Sequence, residues 1–143
     1  MVAGGTGIAP MIQALRPLLG TPGDATKVRL LYGNLAPDDV MLKPELDALA
    51  AAHPDRLEIT YVVGASADDS SAGPDWSTGN REHGWIDAAK IGRLAFPPAD
   101  GTVVWVCGQP GMYDDLAGSR MKPLTADSVL AKLGYTDDMV WRS

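Results

Sequence analysis

The chain has 143 residues, 45% hydrophobic and 21% charged, the composition of one ordinary globular domain with a real core. A net charge of −6 argues against a nucleic-acid partner, because a phosphate backbone calls for a basic footprint. A single cysteine excludes an intrachain disulfide framework and fits a reducing, intracellular setting. No apolar run approaches the ~20 residues of a membrane span and no basic-then-apolar leader is present. The chain itself is therefore expected to make no membrane contact and to sit on the cytoplasmic side, any membrane anchor belonging to a preceding segment.

In chain order, Met1-Val2-Ala3 runs into Gly4-Gly5-Thr6-Gly7, and Ile8-Ala9-Pro10-Met11 follows. This reads as a strand end, a tight turn and a helix start. Glycines there let an anionic ligand approach the backbone, and the helix dipole favours a phosphate, so the turn is a candidate pyrophosphate cradle. The alternative is a turn that only needs positive φ. The loop lacks the Walker lysine and the Gly-x-Gly-x-x-Gly spacing. Since a strand usually has ~5–6 residues, this first one reads as cut short, with a preceding segment absent.

Met11, Ala14, Leu15, Leu18 and Leu19 recur at helical spacing, predicting a helix over 10–19. Pro10 suits its first turn, and Pro17 is expected to tighten or kink its end. A second strand spans Lys27 to Asn34. Asp38 or Asp39 is expected to cap a helical region, and Pro44 marks a new helix start with Leu46, Leu49 and Ala50 buried. Arg56 to Val63 alternates and is β-branched, a third strand. From Gly64 to Gly84 the pattern dissolves into a polar surface loop, with Trp76 expected to pin it. A short helix is expected over 85–91. Thr102 to Cys107 is a nearly continuous apolar fourth strand, turning at Gly108-Gln109-Pro110-Gly111 into a helix near Met112. A helix over 124–133 with Pro123 near its start and Gly134 at its end, then a short strand at 139–141, complete the chain. The pairs Asp38/Asp39 and Asp114/Asp115 are expected at helix starts as caps. His53 and His83 have surface-like contexts, and no metal site is expected.

Strands alternating with helices predict an α/β fold: one domain over 1–143, a doubly wound five-stranded parallel sheet of order 3-2-1-4-5 with helices on both faces. That order sets the carboxyl ends of strands 1 and 4 side by side, where ligands of open α/β sheets bind. The turns at Gly4–Gly7 and at Cys107–Met112 then face one crevice.

Those two turns, with Leu42-Lys43-Pro44-Glu45-Leu46 and Leu30-Leu31-Tyr32-Gly33-Asn34, make the chain resemble the NAD(P)-binding domain of the ferredoxin–NADP reductase superfamily. The branch it resembles is that of NADH–cytochrome b5 reductase and nitrate reductase. The resemblance implies a flavoprotein oxidoreductase whose FAD-binding barrel, in cis, is absent from this chain. It implies hydride transfer from NADH (NADPH less favoured) to FAD, and electron transfer to a heme protein such as cytochrome b5 or to an iron–sulfur partner. By the same resemblance Gly4, Gly5 and Thr6 lie at the flavin–nicotinamide junction and Gly7 helps bind the pyrophosphate, with Pro10 and Met11 completing that cradle. Cys107, Gly108 and Pro110 flank the nicotinamide, Met112 lines the cleft, and Gly33 and Asn34 contact the adenosine half.

Thr6 and Cys107 are the candidate catalytic residues, acting by position and not by nucleophilic attack. Each has a plainer alternative: Thr6 as a backbone-satisfying turn residue, Cys107 as a small core hydrophobe, Asn34 as a turn residue. The chain departs from the branch in three places. Gly64 stands where an acidic residue usually follows the third strand, though Asp68 and Asp69 are near enough to repel a 2′-phosphate. The 77–83 loop is longer than usual, and the sequence closes on Trp141-Arg142-Ser143 where relatives commonly place an aromatic residue. Without an FAD domain the chain is expected not to turn over and to bind NADH weakly. Two rival readings are a non-catalytic nucleotide-sensing module and a flavodoxin-like FMN-binding electron carrier.

Overall fold

A computed structural model describes residues 1–64 and 80–143. The strands are β1 (Val2–Gly4), β2 (Val28–Asn34), β3 (Leu57–Val63), β4 (Asn80–His83), β5 (Val104–Cys107) and β6 (Val140–Arg142). The helices are α1 (Ile8–Gly20), α2 (Lys43–Ala52), α3 (Ala88–Leu94), α4 (Pro110–Leu116) and α5 (Val129–Lys132). Among the described residues the strands form one parallel sheet in the order β4-β3-β2-β1-β5-β6. This is the expected 3-2-1-4-5 arrangement with a sixth strand added beside β3, so the expected count of five is corrected to six.

The added strand is Asn80-Arg81-Glu82-His83, which falls inside the stretch read as loop. It carries no apolar residue, because an edge strand buries little side chain and leaves no alternating pattern to read. Its backbone pairs with β3 from Thr60↔Asn80 to Val63↔His83. The two guanidinium nitrogens of Arg93 donate to the Glu82 carboxylate at 2.9 and 3.0 Å, tying it to α3. Arg93 also holds the Glu82 carboxyl below its ordinary pKa. Trp76, Asp68, Asp69 and residues 77–79 lie outside the described residues.

Alternation along β2 divides the core. Leu30 and Tyr32 face α1 and α2, where Ile8, Met11, Leu15 and Leu46 are buried with Ile59 and Tyr61 of β3. Leu31 faces the other way, with Val2 and Val106, toward Ile91 of α3, Tyr113 and Leu116 of α4 and Leu130 of α5. Below α2 lies a polar cluster. Lys43, only 2% exposed, donates to the Asp47 carboxylate at 2.6 Å, and the Tyr61 hydroxyl donates to the same carboxylate at 2.7 Å. The Lys43 ammonium also stands 4.9 Å from the Tyr61 ring centroid.

Several boundaries differ from the sequence reading. Helix α1 continues through Pro17 to Gly20, and the Thr21 hydroxyl donates to the Pro17 carbonyl at 2.6 Å. Helix α3 starts at Ala88, not Trp85, because the Asp87 carboxylate caps it by accepting from Lys90 N–H at 2.9 Å. Helix α5 has four residues instead of the ten expected over 124–133. The Leu124 N–H donates to Asp137 and the Ser128 N–H to the Thr125 carbonyl, so this stretch turns before Ser128 caps the helix. Pro123 is thereby left well upstream of the start. Gly134 ends α5 at φ +93°, as expected. Asp39 accepts from Ala36 N–H at 3.2 Å over a single 3-10 turn, but Asp114 and Asp115 cap nothing: they are exposed along α4, past its first turn. No described helix is long and apolar enough to cross a membrane.

Candidate functional site

The register brings the two glycine bends together. Ala3 of β1 pairs with Cys107 of β5, so Gly4–Gly7 and Cys107–Gly108 emerge as neighbours at the carboxyl edge of the sheet. Gly7 is buried against the second bend. A Cβ there would overlap the Cys107 carbonyl and come within 3.0 Å of the Gly108 nitrogen. Gly7 is glycine because two backbones meet at that point. Gly4 and Gly108 share another constraint, since a Cβ on either would lie 2.7 Å from the Met112 thioether sulfur. Met112 therefore lies across both bends from the first turn of α4.

Gly5 is different. Its φ of +53° favours glycine, yet nothing lies within 4 Å of where a Cβ would be. It turns the chain on the open side of the crevice. Thr6 beside it is exposed, Cys107 and Pro10 are half-buried, and Pro110 is exposed at the start of α4. The N-terminus of α1 follows directly. No side chain caps it and no acid occupies its first turn, so the positive end of the helix dipole is uncompensated there.

Met11 is a correction. It has no exposed surface and packs in the α1-side core, so it holds the helix in place and does not face the crevice. The carboxyl end of β2 forms the neighbouring part of the edge. A Cβ at Gly33 would meet the Ile86 side chain at 3.1 Å, and the Asn34 carbonyl accepts from Gly64 N–H at 2.9 Å. The Asn34 side-chain nitrogen is closed off from solvent without a well-formed hydrogen bond, although it sits near enough to act on the Tyr32 hydroxyl. Gly64 backs onto Leu35, whose carbonyl would be 2.6 Å from an added Cβ, so that site accepts no side chain without a shift.

Two residues at this edge went unread in the sequence. Trp85 follows Gly84, whose φ is +89°, and is 71% exposed beside the Ile86 that covers Gly33. A tryptophan directly after a glycine in a polar stretch was the available signal. Tyr113 of α4 is buried, and its hydroxyl accepts from Gly108 N–H at 3.3 Å. Burial raises the Tyr113 pKa, the Gly108 N–H opposes that rise and the Cys107 thiol adds to it.

A cavity of about 410 Å³ lies at the opposite edge of the sheet, lined by Met1, Val28, Arg29, Phe96, Val104 and Trp105 among others. Arg29 in its lining stacks 4.3 Å over the Phe96 ring and pairs with Glu58 at 3.3 Å. Ligands of open α/β sheets bind at the carboxyl edge, so the site is placed at the paired bends.

Comparison with known proteins identifies the family. Residues 1–117 match the family described as oxidoreductase NAD-binding domain. The NADH-cytochrome b5 reductase 2 of Meyerozyma guilliermondii is 38% identical over 99% of this chain and 46% of its own length. The NADH-cytochrome b5 reductase-like protein of Arabidopsis thaliana is 37% identical over 99% of this chain and 41% of its own. The crystal structure of the cytochrome b5 reductase domain of Ulva prolifera nitrate reductase superposes with a TM-score of 0.78 at 34% identity, covering all of this chain and 47% of that one. The chain thus spans less than half the length of these relatives. It belongs to the oxidoreductase NAD-binding domain family, on the branch of the ferredoxin–NADP reductase superfamily that holds the cytochrome b5 reductases and the reductase domain of nitrate reductase.

Proposed function

We propose that this chain binds NADH across the two glycine bends and presents its nicotinamide to a flavin held on a neighbouring domain of the same polypeptide. The observation that carries this reading is the backbone contact of Gly7 with Cys107–Gly108, which sets the start of α1 and a half-buried Cys107 side by side at one edge. The chemistry supplied by the bound cofactors is hydride transfer from nicotinamide to FAD, with electrons then leaving singly to a heme protein such as cytochrome b5. Everything else is positioning, the protein's usual share of cofactor chemistry.

Gly5 turns the chain so that backbone N–H groups and the start of α1 face the pyrophosphate. Gly4 and Gly108 carry no side chain and let Met112 lie against both bends, where it would border the nicotinamide. Cys107 and Thr6 line that ring as a small polarizable thiol and a hydroxyl. Asn34, at the end of β2, and Trp85, with an exposed indole face, border the adenosine half. NADH is favoured over NADPH because the relatives are named for it.

The reading is tested by titrating the 143-residue chain with NADH. Binding in the micromolar range or weaker is expected, since the flavin side of the pocket lies outside this chain. Trp85→Ala should weaken it about tenfold, the loss of one base-stacking platform, while Met121→Ala, at a site 88% exposed, leaves it unchanged. Equal affinity for Trp85→Ala and the parent would remove Trp85 from the site, and no NADH binding at all would overturn the reading.

A further inference from the structure

The Tyr113 hydroxyl has a second partner. It accepts from Gly108 N–H at 3.3 Å and donates to the terminal carboxylate of Ser143, the residue after β6 and the last of the sequence. Ser143 is held twice more: its N–H donates to the Val106 carbonyl at 3.2 Å, and its hydroxyl accepts from the Trp105 indole N–H at 2.8 Å. The Tyr113 ring packs in the core on the α4 side, a role phenylalanine would fill equally. The hydroxyl alone reaches past the core to the crevice edge, where it joins two backbone groups from different elements.

We propose that Tyr113 is a positioning residue that locks the Cys107–Gly108 bend to Ser143, so that the bend and the end of β6 move together as one wall of the nucleotide crevice. The proposal rests on the NADH reading only for what the wall is used for; the lock itself stands on the three hydrogen-bonded segments. A hydroxyl bonded to the Gly108 N–H and to Ser143, with the Cys107 thiol beside it, fixes the distance between its partners in a way an apolar contact does not. Gly108 is one of the two glycines against which Met112 packs, so a shift of this bend moves the wall that Met112 forms.

The test is amide hydrogen exchange by NMR on the 143-residue chain, comparing the parent with Tyr113→Phe, with and without NADH. Without nucleotide, the Gly108 and Ser143 amides should exchange about tenfold faster in Tyr113→Phe, the effect of one lost hydrogen bond. The β2 amides of Leu30 and Tyr32 should be unchanged. With NADH, Ser143 exchange should slow in the parent and not in the variant. Unchanged Gly108 and Ser143 exchange would overturn the lock, as would an equal acceleration at every amide, which marks a general stabiliser. NADH slowing Ser143 equally in both proteins, or binding the parent without slowing it, would overturn the coupling to the crevice. If NADH binds neither protein, the nucleotide reading fails, and the exchange without nucleotide still decides the lock.

Discussion

Gly7→Val is expected to unfold at a Tm roughly 10 °C below the parent and to lose NADH binding. The added Cβ would occupy the Cys107 carbonyl, and backbone on both sides leaves no flexible side chain to give way. Overpacking a tight site costs about 1–3 kcal/mol, and a clash against backbone belongs at the upper end. At about 2–4 °C per kcal/mol for a domain of this size, the melting shift follows. Binding should fail for a mechanical reason: the two bends must separate to admit the side chain. Gly5→Ala is the informative companion. It meets open space and carries only the cost of a positive φ, about 1 kcal/mol. Thermal unfolding of the two variants separates the effects, and a Gly7→Val protein that melts with the parent would show that the bends are not in contact.

Asp47→Ala is the second large effect, and it falls on stability alone. The Asp47 carboxylate accepts from both the Lys43 ammonium and the Tyr61 hydroxyl, and Lys43 is almost wholly buried. Taking away the carboxylate leaves a buried cation without its principal anion, a loss of about 3 kcal/mol. Tyr61→Phe removes a hydrogen bond to that carboxylate but leaves the ion pair, and should cost about 1 kcal/mol. The hydroxyl is held far above its ordinary pKa by burial and by Asp47, so it stays a neutral donor across the working pH range. Urea unfolding of the pair checks the ranking. A Tyr61→Phe protein less stable than Asp47→Ala would place the weight on the phenol and not on the ion pair.

The parts of the fold that bury apolar surface were legible in the sequence. Leu30-Leu31-Tyr32 and the Val103–Val106 run announced central strands, and the alternation of strands with helices led to the order that puts β1 beside β5. The edge strand Asn80–His83 was invisible because its stability comes from backbone pairing and one arginine fork, not from side-chain burial. The overlong reading of α5 has a related cause: Leu124, Leu130 and Leu133 keep a helical spacing, but Thr125 and Asp137 capture backbone groups upstream of Ser128.

At the site the two bends were readable as turns, and their meeting followed from topology. The reason for Gly7 was not, since a glycine read as a phosphate contact is first of all a close approach of two backbones. Met11 illustrates the opposite error. It lies next to the turn in sequence, but helical periodicity sends it to the core face. Trp85 comes to this edge from a segment remote from both bends, and only the fold puts it there, whereas Tyr113 directly follows Met112.

The central claim is that one ligand spans both bends, and chemical-shift mapping of NADH on the labelled chain tests it most directly. The account predicts that the amides of Gly5, Thr6 and Gly108 move together with one apparent Kd, with the Trp85 indole following. Shifts confined to Arg29, Val103 and Trp105 around the cavity at the opposite edge, with the two bends unmoved, would contradict it.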